Sequence, residues 1–571
     1  MNDEVKSAGL PVSGTESNIT RPEKWTAALL LLAAFALRCL YIFRYRYDSD
    51  EPQHLHTTWG WTQGLLQYRD FFDNHTPLFH ILFSPLVALL GERTDILDYM
   101  RFAMVPLWFV SLWCVSRIGR ALFSPRAGLW AAVIISLLPW WFYPALEYRT
   151  DNLWTPLWLG AIATLACGTF SRTRAFFGGL LLGLCSTASM KTTLLCAVLA
   201  MSVVFTCAVC IRRLGKAGIV RILTKAWPLF IGILIAPAIL ATFFYLKGAW
   251  DPFVYGVIKH NLLLEVDDRN HPKYLRLIFP IVLPFVLAIG AWIARAETHT
   301  PHALRRAGLF IFVGLYYAAL YSFWTLLTRQ DYLPFYPLAM VLVAALLVYL
   351  AQRFMPSRGT LALALVAVLE IILILAGRKP WENGTLRERE ILSEFLRLTK
   401  PGEWVMDFKG ESVYRQRAFF YVTEPLTFYR LRRKMLKDTV TADLLRHNVF
   451  VVLNQNRWFP KDGAKFMEDN YLAIGRTRVA GKSIVTKHVA AGEKVPFEVK
   501  VPGSYVLWAD GHVVAGSIDG GAASTAPREL TAGPHEFTAD APHKRVAIFW
   551  SRAAEAGFQP VVDKPAWQYY R

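Results

Sequence analysis

From Trp25 to about Ala376 the chain alternates long apolar blocks with short polar loops, and beyond Arg378 the pattern turns amphipathic and then strand-like. About twenty apolar residues span a bilayer. The blocks near Trp25–Phe43, Phe102–Ile118, Gly128–Ala145, Leu153–Phe170, Phe176–Met190, Thr193–Ile211, Trp227–Leu246, Leu275–Ala294, Leu309–Leu326, Leu333–Leu350 and Leu361–Ala376 therefore predict about eleven transmembrane helices. Pro77–Leu90 is apolar but short, which predicts an interfacial or re-entrant helix. Past Trp381, Leu386–Leu398 reads as a helix, Trp404–Phe408 as a strand, Asp443–His447 as a helix end and Val449–Leu453 as a buried strand. Phe497–Val501, Ser504–Ala509, His512–Ala515, His535–Ala539 and Arg545–Trp550 are strand-like and separated by Gly, Pro and Asp, which predicts a small β-sandwich. The expected organisation is a disordered cytoplasmic N-terminus (1–21), a polytopic α-helical membrane domain (22–377), an extracytoplasmic α/β domain (378–482) and an extracytoplasmic β-rich domain (483–571).

Composition agrees with a membrane protein: 54% of the 571 residues are hydrophobic, 14% aromatic, and the mean hydropathy is +0.31. Lys and Arg in short loops mark the cytoplasmic side. With the N-terminus inside, the inner loops carry Arg117, Arg120 and Arg126; Arg172 and Arg174; Arg212, Arg213, Lys216, Arg221 and Lys225; Arg295, Arg305 and Arg306; and Arg353 and Arg358. The tract after the first span, the Glu147–Asp151 turn, the Lys247–Tyr274 loop, Arg329–Asp331 and the C-terminal region then share the outer side. The net charge of +19 is accounted for largely by inner loops facing anionic headgroups, and no nucleic-acid motif is present. All seven cysteines fall within predicted spans, so disulfides are not expected, and Cys207-x-x-Cys210 lacks a second ligand pair. The first apolar run is too long, and lacks the small-residue cleavage site, for a removable signal peptide.

The candidate chemistry begins at Tyr47-Asp48-Ser49-Asp50-Glu51-Pro52-Gln53-His54-Leu55-His56, directly after the first span. Three carboxylates and two imidazoles beside hydrocarbon are costly and point to function. Asp50 with Gln53 three residues on fits a helix N-cap and capping box, and Asp50 and His54 share a helix face. A metal site from Asp48, Asp50, His54 and His56 is conceivable, though no spacing here is diagnostic of one. Further on come Tyr68-Arg69-Asp70-Phe71-Phe72-Asp73-Asn74-His75-Thr76-Pro77-Leu78-Phe79-His80, then Glu147-Tyr148-Arg149-Thr150-Asp151, Lys191 between two apolar runs, and Arg329-Gln330-Asp331-Tyr332-Leu333-Pro334. Each cation alone could anchor a helix end by snorkelling, but three of them meeting acidic loops on one face suggest a site.

This ordered set resembles the GT-C glycosyltransferases over about Trp25 to Ala376, in particular the bacterial family 39 enzymes related to protein O-mannosyltransferases and to lipid A aminoarabinose transferases. The resemblance implies an extracytoplasmic active site in a bacterial inner membrane, moving a sugar from a polyprenyl-phosphate donor to a hydroxyl of an envelope lipid, glycan or protein. It maps the base onto Asp50 of the Asp50–Glu51 pair, the Arg-x-Asp turn onto Arg149 and Asp151, and the donor-phosphate cations onto Arg149, Lys191 and Arg329. His54, Tyr68, His75 and Tyr332 are candidate contacts to acceptor or donor. The chain departs from the family in His54 and His56 and in its C-terminal region, to which acceptor binding or partner contact is assigned. Three basic residues can neutralise a phosphate monoester, so no metal cofactor is expected, with a divalent ion as the alternative. A transporter or flippase would be polytopic too, but the inverted repeat and paired broken helices of such proteins are not seen. A non-catalytic polysaccharide-assembly subunit would keep the architecture without needing Asp50 or Arg149.

Overall fold

The computed structural model describes residues 19–262, 273–324, 327–455 and 459–561. Residues 1–18 of the N-terminus expected to be disordered over 1–21, and residues 263–272 of the Lys247–Tyr274 loop, lie outside the described residues, and Arg21 already opens the first helix. The chain divides into two compact units. The first comprises Met1–Arg46, Asn74–Leu82 and Asp98–Gly384, and the second comprises Tyr47–Asp73, Phe83–Leu97 and Thr385–Arg571.

In chain order the helices are α1 (Arg21–Arg44), α2 (Asp50–Thr62), α3 (Leu78–Leu90), α4 (Ile96–Phe102), α5 (Val105–Leu122), α6 (Pro125–Leu137), α7 (Pro139–Phe142), α8 (Asp151–Ala166), α9 (Arg172–Ala188), α10 (Thr192–Val209), α11 (Ile211–Leu246), α12 (Trp250–Val254), α13 (Ile278–Ala296), α14 (Thr300–Phe323), α15 (Phe335–Phe354) and α16 (Gly359–Gly377). Among the described residues eight helical segments are long and apolar enough to cross a membrane, or nine with the bent pair formed by α6 and Pro139–Leu146. Of the eleven expected spans, those at α8 and α9 fall short of that length, with 16 and 17 residues. The expected third span breaks because Pro139 follows α6, and the two halves meet at 68°. The architecture is that of a multi-pass membrane protein.

Local sequence accounts for the helix ends. Ser124 caps α6 by accepting from Ala127 N at 3.1 Å ahead of Pro125, and Ser171 caps α9 by accepting from Arg174 N at 3.3 Å. Arg101 of α4 is buried and donates to the carbonyls of Tyr45 and Arg46, both at 2.8 Å, placing a cation at the C-terminal end of α1. Gly179 and Gly183 of α9 face Gly232 of α11 so closely that a Cβ on Gly232 would lie 2.3 Å from the Phe176 carbonyl oxygen. This small-residue contact lets two backbones touch where no aqueous hydrophobic drive operates.

The second unit adds α17 (Leu386–Leu398), β1 (Trp404–Val405), β2 (Gln416–Arg417), α18 (Pro425–Arg432), α19 (Val440–Arg446), β3 (Val451–Leu453), α20 (Lys461–Asn470), β4 (Tyr471–Ala473), β5 (Thr477–Val485), β6 (Lys494–Val499), β7 (Gly503–Ala509), β8 (His512–Val513), β9 (Ser517–Ile518), β10 (Arg528–Leu530), β11 (Gly533–Thr538), β12 (Val546–Trp550) and α21 (Ser551–Glu555). The main sheet runs β10-β7-β12-β5-β3, with β4 added to β5 and β8 to β7, and a second sheet runs β6-β11-β9. All five residues of β12 are buried, as befits a strand flanked by β7 and β5. The 482 boundary expected from the sequence falls inside β5, so one sheet contains strands from both sides of it. Ile391, Phe395 and Leu398 at helical spacing put one face of α17 into the core with Val405, Val451 and Val479. The strand expected over Trp404–Phe408 is regular over Trp404–Val405 and bridges Val452 through Met406, after which the Asp407 carboxylate takes the N–H groups of Gly410 (3.1 Å) and Ser412 (2.8 Å) and turns the chain.

Gly232→Leu is expected to separate α9 from α11, seen as loss of monodisperse protein in detergent. Normal elution with unchanged melting would rule out so close an approach.

Candidate active site

In the first unit, three loop ends converge. The Glu147–Asp151 turn opens α8, Lys191 opens α10, and the 3-10 turn Arg329–Tyr332 precedes α15. Lys191 Nζ lies 2.7 Å from Asp331 Oδ1 and 2.8 Å from Asp151 Oδ1. Arg149 Nε is 3.4 Å from Asp151 Oδ2 and 4.0 Å from Glu147 Oε2, while Gln330 Nε2 donates to Glu147 Oε2 at 2.7 Å. The other oxygen of Asp331 accepts from Thr328 N at 2.6 Å and Thr328 Oγ1 at 2.9 Å, a capping box that fixes the turn. Glu147, Arg149, Asp151 and Asp331 are all buried. Burial alone would lower the Lys191 pKa, but the carboxylates of Asp151 and Asp331 outweigh it and hold the ammonium above the usual lysine value. Carboxylates of Glu147, Asp151 and Asp331 and the cations of Arg149 and Lys191 are thus interleaved in one buried group.

The structure thus brings Arg149, Asp151 and Lys191 together and adds Glu147, Gln330 and Asp331 to the site. The sequence showed those three within the same tracts without marking them as partners. His75 belongs to the same unit as this group. Arg329 is exposed at the start of its turn and makes no ion pair among the described residues. Tyr332 sits in an aromatic group with ring centroids 5.6 Å from Tyr336, 6.2 Å from Tyr321 and 6.4 Å from Tyr317.

The second unit holds the first-loop residues. Asp50 is the first residue of α2 and not its N-cap, which is Ser49. The capping-box reading fails because the loop satisfies itself differently: Asp48 Oδ1 accepts from Asp50 N at 3.2 Å, and Glu51 Oε1 accepts from Asp48 N at 2.7 Å. Glu51 is fully buried in that role. Asp50 Oδ1 instead meets Lys409 Nζ at 2.5 Å, with the two side chains 22% and 16% exposed. Lys409 comes from the Asp407–Ser412 turn, whose backbone is held by Asp407 and by Glu411 Oε2, which accepts from Phe408 N at 3.0 Å and Lys409 N at 2.8 Å. The turn packs on α2: His56 Nδ1 bonds the Val413 carbonyl at 2.8 Å, and a Cβ on Gly410 would lie 2.5 Å from His56 Cβ. Nothing in the sequence pairs Lys409 with Asp50, because 359 positions separate them.

His54 is buried within α2. Tyr68 is buried with φ +75° and donates its N–H to Phe71 O at 2.8 Å, and burial followed by the nearby Asp73 carboxylate pushes its hydroxyl well above the usual value. Asp73 is tied to Gln53 Nε2 at 2.6 Å and Gln67 Nε2 at 3.1 Å. Among the described residues no group of three or more His, Cys, Asp or Glu is placed to hold a metal ion. His56 Nδ1 bonds the Val413 carbonyl, and Asp48, Asp50, His54 and His56 are not gathered in such a group.

No family model matches the sequence, and no curated protein matches it. The fold is shared with ArnT from Cupriavidus metallidurans in the apo state, at TM-score 0.54 and 13% identity over 80% of this chain and 98% of that chain. ArnT bound to undecaprenyl phosphate aligns over the same shares at TM-score 0.49 and 13% identity. The archaeal oligosaccharyltransferase AglB from Archaeoglobus fulgidus, in complex with an inhibitory peptide and a dolichol-phosphate, aligns at TM-score 0.43 and 10% identity over 80% of this chain and 74% of that chain. The first of these establishes a GT-C fold.

Lys191→Met leaves Asp331 buried without its lysine and Asp151 with Arg149 alone, and removing one partner of a buried pair costs about 3–5 kcal/mol. The expected result is a clear fall in melting temperature, partly recovered in Lys191→Met/Asp151→Asn. An unchanged melt would mean that these groups are not charged.

Proposed function

We propose that this chain is a GT-C membrane glycosyltransferase that moves a sugar from a polyprenyl-phosphate donor to a hydroxyl of an extracytoplasmic acceptor, a lipid, glycan or protein of a bacterial envelope, with the inner membrane as its location. The observation that carries the reading is the buried cluster of Glu147, Arg149, Asp151, Lys191 and Asp331 at the ends of apolar helices. So many charges beside hydrocarbon are retained for function. The GT-C fold supports the reaction class, and ArnT, which shares that fold, has been solved with undecaprenyl phosphate, the same class of carrier.

In the proposed reaction the acceptor oxygen attacks the anomeric carbon, its proton passes to the Asp50 carboxylate, and the bond from that carbon to the phosphate oxygen breaks with its electrons leaving on the lipid phosphate. A single displacement inverts the anomeric centre. Lys409 keeps Asp50 oriented, and Glu51 shapes the turn on which Asp50 stands. Of the three cations assigned to the phosphate, Arg149 and Lys191 already face carboxylates, so Arg329, exposed and without a carboxylate partner among the described residues, makes the leading contact. His54, Tyr68, His75 and Tyr332 keep supporting parts in acceptor or donor contact, with His54 and Tyr68 acting through the packing of the first loop. No step is routed through a metal ion.

Asp50→Asn should fold normally and lower transfer by roughly 10²–10⁴-fold, the usual loss for a general base. Lys409→Met should lower it about tenfold or more, the worth of a charge-assisted hydrogen bond, and add little to Asp50→Asn in the double variant. Wild-type turnover in Asp50→Asn with donor bound would remove Asp50 from the mechanism, and full additivity would uncouple Lys409 from it.

Arg329→Ala should weaken retention of a labelled polyprenyl phosphate in detergent about tenfold or more, and Arg149→Lys should weaken it too, because a point charge cannot reproduce planar bidentate contact. Chelator should leave transfer unchanged. Activity lost in chelator and restored by Mg²⁺ or Mn²⁺ would overturn the assignment of leaving-group charge to side chains.

A further inference from the structure

Within the first unit, α5, α8 and α9 border an open groove of about 450 Å³ whose walls include Leu107, Val110, Leu153, Leu157 and Leu181, with Gly160 leaving its centre open. The groove follows α8 from Leu153 to Cys167, about 21 Å at the α-helical rise, or some two thirds of a hydrocarbon core. It begins near Asp151 and ends, at the opposite end of that helix, against Arg117 and Arg174. The α8–α9 turn there is ringed by cations: Arg174 Nη1 donates to Thr164 O at 3.4 Å, Arg305 donates to Gly168 O, and Lys225 Nζ donates to Phe170 O at 3.3 Å.

These cations lack carboxylate partners for a reason visible in the sequence. No Asp or Glu occurs from 102 to 146 or from 152 to 250, and the nearby Glu23 and Glu297 are held by Arg126 and Arg306. Arg117 and Arg174 donate to no carboxylate among the described residues, and Arg117 lies over the Trp113 ring at 5.9 Å. A mostly apolar groove along α8, bounded at one end by guanidinium groups without a carboxylate partner among the described residues, is complementary to an amphiphile with an anionic head. Basic pockets between transmembrane helices bind such heads.

We propose that this groove is a binding site for an anionic diacyl phospholipid of the leaflet opposite the candidate active site, with its phosphate on Arg117 and Arg174 and one acyl chain along Gly160. Arg305 and Lys225 add to the field that draws the headgroup. The site is separate from the donor-phosphate cations at the other end of α8.

The test is lipid retention by the full-length protein after delipidation, read by native mass spectrometry with phosphatidylglycerol, phosphatidylcholine and undecaprenyl phosphate offered in equal amounts. Wild type should retain phosphatidylglycerol over phosphatidylcholine, and Arg117→Gln and Arg174→Gln should each cut that preference about fivefold, the effect of one basic residue at a lipid surface. Gly160→Leu, whose Cβ would meet only the Leu181 side chain at an ordinary 3.5 Å, fills the slot without touching a charge and should reduce retention with unchanged melting. Equal retention of the two phospholipids by wild type, or an unchanged preference in the double arginine variant, overturns the proposal. So does displacement of phosphatidylglycerol by undecaprenyl phosphate, which would give the slot to the donor.

Discussion

The first unit depends on one ammonium group. Lys191 Nζ is within 2.8 Å of a carboxylate from the start of α8 and within 2.7 Å of one from the turn before α15, so a single side chain at the start of α10 fastens three separated stretches of sequence. Desolvating such a charge is expensive, and two carboxylates are needed to make it tolerable. Each carboxylate then needs its own second partner: Arg149 for Asp151, and the Thr328 hydroxyl and N–H for Asp331. The network is thus fixed outward from Lys191. Arg149 and Lys191 are committed to carboxylates inside it, which is why the exposed Arg329 is the cation proposed to meet a phosphate first.

A different economy operates in the second unit. There the first-loop helix α2, the Phe83–Leu97 segment and the C-terminal chain fold as one body, α2 through the Asp50–Lys409 and His56–Val413 contacts and Glu92 through Arg415 at 2.6 Å. The C-terminal region is therefore part of the framework that holds Asp50. An assignment of that region to acceptor or partner contact alone leaves out this structural role.

What the sequence disclosed follows the range of each interaction. Helices announced by twenty apolar residues, and Leu386–Leu398 announced by its periodicity, were legible because burial is written locally. The Arg149–Asp151 relation came from the resemblance to an Arg-x-Asp turn, and the two residues lie within one turn. Asp331 and Glu147 were visible only as members of tracts, since their importance lies in partners 140 and 183 positions away. Lys409 had no signature at all: a lysine in a soluble loop is ordinarily a solvated one. The reading of Asp50 as an N-cap failed because the helix begins one residue earlier, at the Ser49 cap, with the Asp50 N–H taken by Asp48.

Charge placement along α8 ties these points together. At its N-terminus acids and bases are present in near balance and are buried with one another, whereas at its C-terminus only bases remain, and the chain supplies no acid across nearly a hundred residues to meet them. A cation in water needs no partner, but a cation at the edge of hydrocarbon must find an anion or hold water there. The positive-inside bias is usually treated as a signal of orientation. Here, beside a slot walled by leucine and glycine, the same bias becomes a requirement for an anionic neighbour, and the neighbour that a membrane offers is the phosphate of a lipid.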